Sequence, residues 1–390
     1  MTQSTQLAAP PKTRRVTISV AAAGISSFAL LYAPQAVLPQ LAAEFQLAPG
    51  GASLAVSVAT GALAIAVLPL AALSEVVGRR PVILASVVLS VLLGLLLPLA
   101  PSYPVLLVLR ALQGVAIAGF PGVAAAYLVE QLGRTGVAAA VGAMIAGNTV
   151  GGMLGRLSSG FAADRLGWHG ALAVVAGLAA ACSVLTVLTL PKGRPAPRGE
   201  SVFAGLLLAL RKPVLLVQYS VALLAMGSFV ALYNAAGFRL TAEPLGLAPA
   251  VASLVFLAYA MGAVSSGMAG RLAIRFGRTR SLVAGLLTTI AGAALTIPDS
   301  LPLVVLGFVV LTGGFFAAHS VANGWAAAEA PEGARGQVGG LYTLAYYLGS
   351  SVGGTAGSTV YGHAGWTWLI ALTAGWLCLA VLAVLALRRS

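Results

Sequence analysis

Charged residues are scarce in this 390-residue chain, and acidic residues are the scarcest of all. Asp and Glu together number nine, all charged residues make up 8% of the chain, and hydrophobic residues make up 59%. A soluble globular domain carries roughly 25% charged residues, so this sequence has too little polar surface for a water-soluble protein. The composition excludes a soluble enzyme and indicates a protein surrounded by lipid.

Reactive and metal-binding residues are also few. The chain has two cysteines and three histidines, and Cys182 and Cys378 lie inside apolar segments, where cysteine acts as a small apolar residue. No metal-ligand cluster, nucleophile triad or phosphate-binding loop is recognisable. The chain also lacks the Gly-x-x-x-x-Gly-Lys-Ser/Thr motif, which excludes ATP as a direct energy source. We therefore expect no metal, no cofactor and no enzymatic activity.

Long uncharged runs are what the sequence does contain. Residues 16–43, 45–74 and 81–109, for example, include no Asp, Glu, Lys or Arg. A bilayer core needs about 20 such residues in a helix, and backbone in lipid must satisfy its own hydrogen bonds, which indicates helices. The runs predict twelve membrane spans, which we number in chain order: 17–38, 52–73, 81–99, 105–127, 137–160, 169–190, 214–239, 250–271, 281–297, 303–326, 336–360 and 365–387.

The basic residues predict the orientation of these spans. Eighteen of the 22 Lys and Arg residues lie before span 1, after span 12 or in the loops that follow even-numbered spans, against Arg165 and Arg239 in the opposite loops. The positive-inside rule places the eighteen, and both termini, in the cytoplasm. The net charge of +13 is thus a topology signal and not a nucleic-acid site, and the first apolar run is too long for a cleavable signal peptide. We expect a monomeric, multi-pass protein in the lipid bilayer of a bacterial inner membrane.

Short motifs recur at a long interval along the chain. The recurring elements, offset by 199 or 202 residues, are Gly78-Arg79 and Gly277-Arg278, Gly114 and Gly313, Glu130 and Glu329, and Val150-Gly151-Gly152-x-x-Gly155 and its copy from Val352. Such a repeat indicates a duplicated six-helix unit, and duplicated membrane halves with a site between them are typical of secondary transporters. The predicted organisation is a cytoplasmic tail at 1–16, six-helix bundles at 17–190 and 214–387, and a cytoplasmic linker at 191–213.

The loop between spans 2 and 3 resembles a motif of the major facilitator superfamily. Residues 71–80 read Ala-Ala-Leu-Ser-Glu-Val-Val-Gly-Arg-Arg, and the superfamily pattern is roughly Gly-x-Leu-Ala-Asp-Arg-x-Gly-Arg-Arg. Glycine permits a tight reversal here, and the acidic residue is suited to a helix N-terminus. We expect the arginine to pair with an acid at the cytoplasmic end of span 4, and the second copy to repeat the pair. This predicted cytoplasmic latch, which closes the cytoplasmic face in one conformation, comprises Glu75, Gly78, Arg79 with Glu130, and Arg278 with Glu329.

Span 4 contains Arg110-Ala-Leu-Gln113-Gly114, which closely matches the Arg-x-x-Gln-Gly motif of the same superfamily. An arginine several residues inside a span needs a partner or a wet cavity. No acid lies near it in its own helix, so the sequence leaves open polar groups of span 1, such as Gln35, or the substrate as the partner. Snorkelling to the outer interface is the alternative. Arg110 and Gln113 are therefore predicted to line a substrate cavity.

Span 5 carries a glycine-rich pattern that resembles the motif associated with antiporters in the superfamily. It includes Gly147, Gly151, Gly152 and Gly155, with Asn148 where proline is usual. Small residues allow helices to approach closely in lipid, so we expect these glycines to pack span 5 against its partner across the interface between the halves. The resemblance favours an exporter over an importer.

One histidine and several polar side chains complete the predicted cavity. His319 lies in span 10, and histidine titrates near physiological pH, which makes it the candidate proton carrier; a hydrogen bond between helices is the alternative. No acidic residue is predicted at mid-depth, so protons use His319 or a latch acid, or else transport is uncoupled. A cavity that holds Arg110, with Arg156 as a second candidate, should prefer neutral or anionic solutes. The other predicted cavity residues are Tyr32, Gln35, Asn148, Tyr233, Asn234 and Tyr346.

Over residues 16–387 the chain is similar to the arabinose-efflux-permease-like branch of the 12-helix drug:proton antiporters, a group associated with multidrug resistance. The resemblance implies an all-α membrane protein of the major facilitator fold, with 12 transmembrane helices in two pseudo-symmetric six-helix bundles. It also implies alternating access and proton-driven efflux of a small molecule. A proton-coupled importer or an uncoupled facilitator of a sugar or organic acid would keep the same fold. A channel or a membrane-embedded enzyme is disfavoured by the intact repeat and the missing catalytic set.

Overall fold

The computed structural model describes residues 11–192 and 202–387, and every regular element in this part of the chain is a helix. Every predicted span corresponds to helical structure. The bounds are Pro11–Tyr32, Ala33–Val37 and Leu38–Glu44 for span 1, Pro49–Val77 for span 2, Arg79–Leu96 for span 3, Tyr103–Ala118 for the first part of span 4, Ala124–Thr189 for the rest of span 4 and for spans 5 and 6, Pro213–Thr241 for span 7, Pro249–Ser253, Leu254–Ala258 and Tyr259–Phe276 for span 8, Arg278–Leu295 for span 9, Leu301–Ala328 for span 10, Arg335–Ala364 for span 11 and Trp366–Ala386 for span 12.

Two glycines divide the long helix Ala124–Thr189 into the three pieces that belong to different spans. Gly133 and Gly167 have φ of +64° and +62°, which interrupts the helical backbone at each position. Span 4 therefore ends at residue 132, span 5 covers 134–166 and span 6 covers 168–189. Within the described residues, eight helices are long and apolar enough to cross a membrane by length and composition alone, and one of them, Ala139–Thr189, contains both spans 5 and 6.

The turns after spans 2 and 8 repeat the same backbone conformation. Gly78 and Gly277 have φ of +96° and +85°, a region that a side chain makes costly and that glycine enters freely. The tight reversal predicted for Gly78 is present in both halves of the chain. Both termini of the described chain and the end of span 6 lie on this side of the molecule, which we call the linker side; the opposite ends of the spans form the far side.

Glycines also join the first and fifth helix of each half. A Cβ added at Gly147, Gly151 or Gly155 would meet the backbone of span 1, which shows that the two helices touch backbone to backbone. The second half repeats the arrangement between spans 11 and 7 with every partner displaced by 202 residues. The contacts are Gly147 with Ala21, Gly151 with Ile25 and Gly155 with Ala29, and Gly349 with Leu223, Gly353 with Gly227 and Gly357 with Ala231.

These contacts correct one prediction. The glycines of span 5 were expected to pack across the interface between the halves, and that expectation is wrong, because their partner is span 1 of the same half. Gly152 lies on another face of the helix, where its neighbours are the Arg156 side chain and the ring of Tyr32. The glycine pattern therefore builds the interior of each bundle and leaves the adjacent face of span 5 free to line the interface.

A short helix, Val202–Leu210, lies within the predicted linker, and residues 193–201 of the linker lie outside the described part of the chain. The predicted linker, 191–213, thus contains a helix among its described residues. Gly205 packs closely against the Gln337 side chain at the start of span 11, and Lys212 donates a hydrogen bond to the Glu329 carbonyl at 3.1 Å. The end of the linker is thereby tied to the linker side of spans 10 and 11.

The hydrophobic core is divided between the two halves. One cluster is built from buried residues of spans 7 to 12, and two others are built almost entirely from spans 1 to 6. The surface along which the halves meet, which we call the seam, is formed largely by span 2 against span 11 and by span 5 against span 8. Ser351 of span 11 donates a hydrogen bond to the Ser57 carbonyl of span 2 at 2.7 Å, which joins the halves within the membrane.

Candidate functional site

The seam is closed on the far side. Asp164, at the end of span 5, accepts a hydrogen bond from the Ala250 amide at the start of span 8, 3.2 Å away. A Cβ on Gly160 would overlap the Ser253 side chain, so the two spans are in direct contact. The remaining gap between spans 1, 7 and 8 has a volume of about 20 Å³, which is room for about one water molecule. Between spans 5 and 8 the seam is therefore closed on the far side in this conformation.

A buried arginine lies on the seam at the level where this gap ends. Arg156 of span 5 is only 1% exposed. Its Nε donates to Oε1 of Gln35, its Nη1 donates to the Gly152 carbonyl at 2.8 Å, and its Nη2 donates to the Tyr259 hydroxyl at 3.1 Å. Because Tyr259 belongs to span 8, one guanidinium group binds both halves.

Aromatic rings from both halves lie against this guanidinium. Its central carbon lies 4.1 Å from the ring centre of Tyr32 and 4.4 Å from that of Tyr259, and Phe256 is 5.4 Å away. A cation over an aromatic face is attracted by the ring quadrupole, most strongly where water is excluded. The rings reduce the cost of burying Arg156 but do not neutralise its charge.

Two amide side chains extend the network across the seam. Nε2 of Gln35 donates to Oδ1 of Asn234 at 2.6 Å, and both residues are fully buried. Nδ2 of Asn234 is buried without a hydrogen-bond partner among the described residues. A buried amide N–H without a partner costs about 1–3 kcal/mol. The chain Arg156–Gln35–Asn234 therefore ends in a buried donor whose hydrogen-bonding capacity is unused.

The structure gives Arg110 a different environment. Its guanidinium donates to the Ala55 carbonyl at 2.6 Å, to the Leu30 carbonyl at 3.0 Å, to the Leu31 carbonyl at 2.6 Å and to Gln113. The partner in span 1 is thus main-chain carbonyl, and not Gln35. All of these acceptors belong to spans 1, 2 and 4, so Arg110 joins the helices of one bundle.

Gln113 extends these hydrogen bonds within the first bundle by donating to the Ser90 carbonyl of span 3 at 3.0 Å. Like Arg110, it is fully buried within the first half. The prediction that these two residues line the cavity has no support in their contacts. We therefore leave them out of the proposed substrate site.

His319 lies among aromatic residues of the second half. Its Nδ1 is 3.0 Å from the Tyr342 hydroxyl, its ring is stacked on Phe315 with centres 5.9 Å apart, and the Tyr346 ring lies 4.8 Å away. Tyr346 packs against the hydrophobic clusters of both halves, which places this group at the seam. The hydrogen bond between helices that the sequence analysis kept as an alternative is present.

Rings connect His319 to the neighbourhood of Arg156. Phe315 is stacked on Phe229 at 4.0 Å, and both Phe229 and Phe316 lie edge-on to Tyr259, at 5.4 and 6.0 Å. Phe316, His319 and Tyr346 are only partly buried, whereas Phe229 and Phe315 are fully buried. We call Tyr259, Phe316, Phe315, His319 and Tyr346 the aromatic ladder; it leads from Arg156 towards the linker side.

Two other predicted cavity residues lie inside the bundles. Tyr233 is fully buried, and its hydroxyl is 2.6 Å from the Thr312 hydroxyl within the second half. Asn148 lies against Gly24 of span 1, and its Oδ1 is buried without a hydrogen-bond partner among the described residues. Asn148 thus lies beside the glycines that join spans 1 and 5, about two helical turns from Arg156.

The arginines of the latch meet the expected acids, one pair in each half. Arg79 Nη1 lies 2.7 Å from Glu130 Oε1, and Arg278 Nη1 lies 3.6 Å from Glu329 Oε1. Each pair joins residues of the same half, so neither ion pair itself bridges the halves. Glu75 is exposed, and no hydrogen bond between described residues involves it, so its expected contact with a helix N-terminus is absent from this conformation.

The first ion pair should stabilise the protein more than the second. The Arg79 and Glu130 side chains are 20% and 14% exposed, against 47% and 37% for Arg278 and Glu329, and Arg79 also donates to the Ala126 carbonyl at 2.9 Å. Exposed ion pairs contribute about 0.2–1 kcal/mol. We expect Arg79→Gln to lower the melting temperature of the purified protein several-fold more than Arg278→Gln. Equal losses in the two variants would contradict this ranking.

Sequence reasoning found Tyr32 but missed the aromatic partners of Arg156 in span 8, and it ranked Arg156 itself below Arg110. Tyr259 and Phe256 come from span 8, about one hundred residues away in the chain, and no local pattern connects them with span 5. A usable signal was present, because Arg156 lies inside an otherwise uncharged stretch, 139–163, with no acid to pair with it. Among the described residues, no group of three or more His, Cys, Asp or Glu could hold a metal ion.

Comparison with known proteins agrees with this architecture. The family model described as Major Facilitator Superfamily matches residues 19–248 and 221–390. The inner membrane transport protein YnfM of Escherichia coli K12 is 37% identical over 97% of this chain and 92% of its own. The uncharacterized MFS-type transporter YybF of Bacillus subtilis 168 is 37% identical over 92% of this chain and 89% of its own.

The fold also has a solved counterpart. The bacterial homolog of the human lysosomal transporter Spinster, in an inward-facing and occupied conformation, superposes with a TM-score of 0.82 at 17% identity, covering 98% of both chains. That likeness shows the shared fold. Together with the family match over both halves and the relatives at 37% identity, it establishes that this chain is a membrane transporter and belongs to the major facilitator superfamily.

Proposed function

We propose that this protein is a secondary active exporter of the bacterial inner membrane that moves a small neutral, anionic or amphipathic solute outward in exchange for protons. The linker side faces the cytoplasm, because the distribution of basic residues along the sequence predicts that orientation for its loops. The solute binds at the seam, beside Arg156, Gln35 and Asn234. Rocking of the two halves exposes this site to one compartment at a time.

The observation that carries the proposal is the polar network that joins the halves inside the membrane. Intramembrane ionisable groups are costly and usually serve a function, and transporters of this kind place their site between the repeats near mid-depth. Arg156 binds Gln35 of its own half and Tyr259 of the other. Relative movement of the halves must break this network, and the binding of a solute to its free donors can therefore be coupled to the movement.

Two observations support the outward direction and the exclusion of cations. The glycine pattern of span 5 resembles the antiporter motif, and its structural copy in span 11 shows that both bundles are built on it. No acidic residue occurs in the interior of the spans at the level of Arg156, so a cationic solute would meet a buried positive charge and no carboxylate.

His319 is the first candidate for carrying the proton. It is partly buried at the seam and joined to Tyr342, and no acidic residue in the described ranges pairs with it. Glu130 is the second candidate, because it is a partly buried acid paired with Arg79 on the linker side. Protonation of Glu130 would release Arg79 and loosen the linker side of span 4.

Proton-coupled export can be tested in inside-out vesicles whose lumen has been acidified. A transported solute added outside should enter the lumen and drive protons out, which a pH-sensitive dye in the lumen reports. We expect His319→Gln to lower the number of protons released per solute transported at least about tenfold, because the titratable group is lost. His363→Gln, at the far end of span 11, is the matched control. Solute entry with no change in lumen pH would contradict antiport and indicate an uncoupled facilitator.

A further inference from the structure

We infer that the seam site is built for an aromatic organic anion, with its carboxylate on Arg156 and its ring against the aromatic ladder. This inference rests on the proposed function, because it assumes that the network between the halves is the solute site. It goes further in choosing the anion over the neutral solute and in specifying the shape of the apolar part.

The first step is the charge balance around Arg156. The ion pairs among the described residues are Arg79–Glu130, Arg239–Asp299 and Arg278–Glu329, and none of them involves Arg156. Its acceptors are an amide oxygen, a main-chain carbonyl and a hydroxyl, all of them neutral. A buried charge without a counter-charge is strongly unfavourable. An anion bound at this point removes that cost, whereas a neutral solute leaves it in place.

The second step is the number of free donors. A guanidinium has five N–H donors, and the structure shows three hydrogen bonds from Arg156, one from each nitrogen. One N–H on Nη1 and one on Nη2 therefore remain without an acceptor in the part of the protein that the structure describes. Tyr32 and Tyr259 lie against the same guanidinium, with ring centres 4.1 and 4.4 Å from its central carbon, so the free N–H groups lie beside aromatic rings. A carboxylate has the planar, two-oxygen geometry that suits a guanidinium.

The third step concerns Asn234, which supplies a further unused hydrogen-bond donor. Asn234 holds Gln35 through its oxygen and keeps a buried Nδ2 without a partner among the described residues. Like the free N–H groups of Arg156, Nδ2 is a hydrogen-bond donor. The three unused donors call for an acceptor-rich ligand, and a carboxylate provides only acceptors at physiological pH.

The last step concerns the rest of the ligand. The aromatic ladder begins at Tyr259, which touches the guanidinium, and continues to Phe316, His319 and Tyr346, which are not fully covered by protein. Aromatic pairs stabilise each other beyond the effect of buried area alone. Because Tyr346 also packs on the first half, a ring bound there touches both halves, as the carboxylate does at Arg156.

The inference can be tested by equilibrium binding to the full-length protein in lipid nanodiscs, with no pH gradient. The probes are benzoate, its neutral counterpart benzamide, its cationic counterpart benzylamine, and cyclohexanecarboxylate as the non-aromatic acid. We expect benzoate to bind at least about tenfold more tightly than benzamide or benzylamine, and several-fold more tightly than cyclohexanecarboxylate. Equal affinity for benzamide, preference for benzylamine, or no binding by either acid would overturn the inference.

Substitutions test which residues produce these binding preferences. Arg156→Gln should remove the preference for benzoate over benzamide, Arg156→Lys should keep part of it, and Phe316→Leu should remove the preference for the aromatic acid. Arg165→Gln, an exposed arginine nine residues further along the chain, is the matched control and should change neither. The Arg156→Lys variant and the elution profile of each protein separate loss of binding from loss of folding. A benzoate preference that survives in a folded Arg156→Gln protein would overturn the assignment.

The two proposals fail in different ways. If benzoate binds through Arg156 but no acid moves protons in the vesicle assay, antiport is wrong and the anion site stands. If neutral solutes drive proton release through the same seam and aromatic acids do not bind, the exporter stands and the anion site is wrong.

Discussion

Gly151→Val is expected to leave almost no folded protein in the membrane. A Cβ at this position would fall on the backbone of Ile25 in span 1, and neither of two packed helices can shift locally to make room. Valine adds two further carbons to the overlap. Overpacking in a well-packed interior costs about 1–3 kcal/mol where side chains can adjust, and here the obstacle is main chain, so we expect a larger loss.

The matched control is Gly142→Val, nine residues earlier on the same span. Nothing lies within 4 Å of a Cβ at Gly142, and valine is no worse than glycine in a helix. Folded yield is measured by fluorescence-detected size exclusion of the protein extracted from membranes. We expect near-normal yield for Gly142→Val and loss of most folded material for Gly151→Val. Similar yields for the two variants would contradict the backbone contact between spans 1 and 5.

The duplication extends this expectation to the second half. Gly353 occupies the equivalent position 202 residues later, and its Cβ would overlap the backbone of Gly227. Gly353→Val should therefore be as harmful as Gly151→Val. A much milder effect would mean that the two bundles do not rely equally on this packing.

The repeat is the reason that the fold was predictable. The 199-residue offset identified the ion pairs Arg79–Glu130 and Arg278–Glu329, which the structure contains, and the uncharged runs located the spans. It was harder to predict from the sequence which helices pack against each other. Glycines at intervals of four residues define one face of a helix, but the spacing does not say which helix meets that face, and the prediction chose the wrong one.

The substrate site was predicted only in part, for a similar reason. Gln35 and Asn234 were among the predicted cavity residues, and the structure joins them across the seam. Arg110 was ranked above Arg156 because it lies in a recognisable motif. A motif identifies a position, whereas the direction of a long side chain depends on which neighbours offer acceptors. In this fold, main-chain carbonyls of spans 1 and 2 accept hydrogen bonds from Arg110, and its side chain therefore points into the first bundle and not towards the seam.

This difference between two buried arginines leads to a second large effect. Arg110→Met is expected to cause severe loss of folded protein, whereas Arg156→Met is expected to fold normally and lose binding of organic anions. Arg110 makes four hydrogen bonds within one bundle, and hydrogen bonds to a charged group contribute about 1.5–3 kcal/mol each. Even after the benefit of removing a buried charge, we expect Arg110→Met to lose about 3 kcal/mol or more.

Arg156→Met removes a charge that no acid compensates. Gln35 and Tyr259 each lose a hydrogen-bond partner, at a cost of about 1–3 kcal/mol apiece, but the burial cost of the charge disappears as well. The methionine sulfur can also pack between the rings of Tyr32 and Tyr259, a contact that is favourable in its own right. We therefore expect the melting temperature of Arg156→Met to stay close to that of the parent protein.

The two measurements, melting temperature and benzoate affinity, assign the roles independently. Replacing a structural arginine lowers the melting temperature and affects benzoate binding only through unfolding. The fraction of Arg110→Met that does fold should therefore still bind benzoate. Replacing a ligand-binding arginine leaves the melting temperature unchanged and abolishes benzoate binding. If Arg110→Met were stable and unable to bind benzoate while Arg156→Met failed to fold, the two roles would have to be exchanged. Arg156 would then be the structural arginine, and the solute would lie within the first bundle instead of between the halves. Such a location would be incompatible with alternating access, because a site enclosed by one rigid bundle does not change its exposure when the two bundles rock.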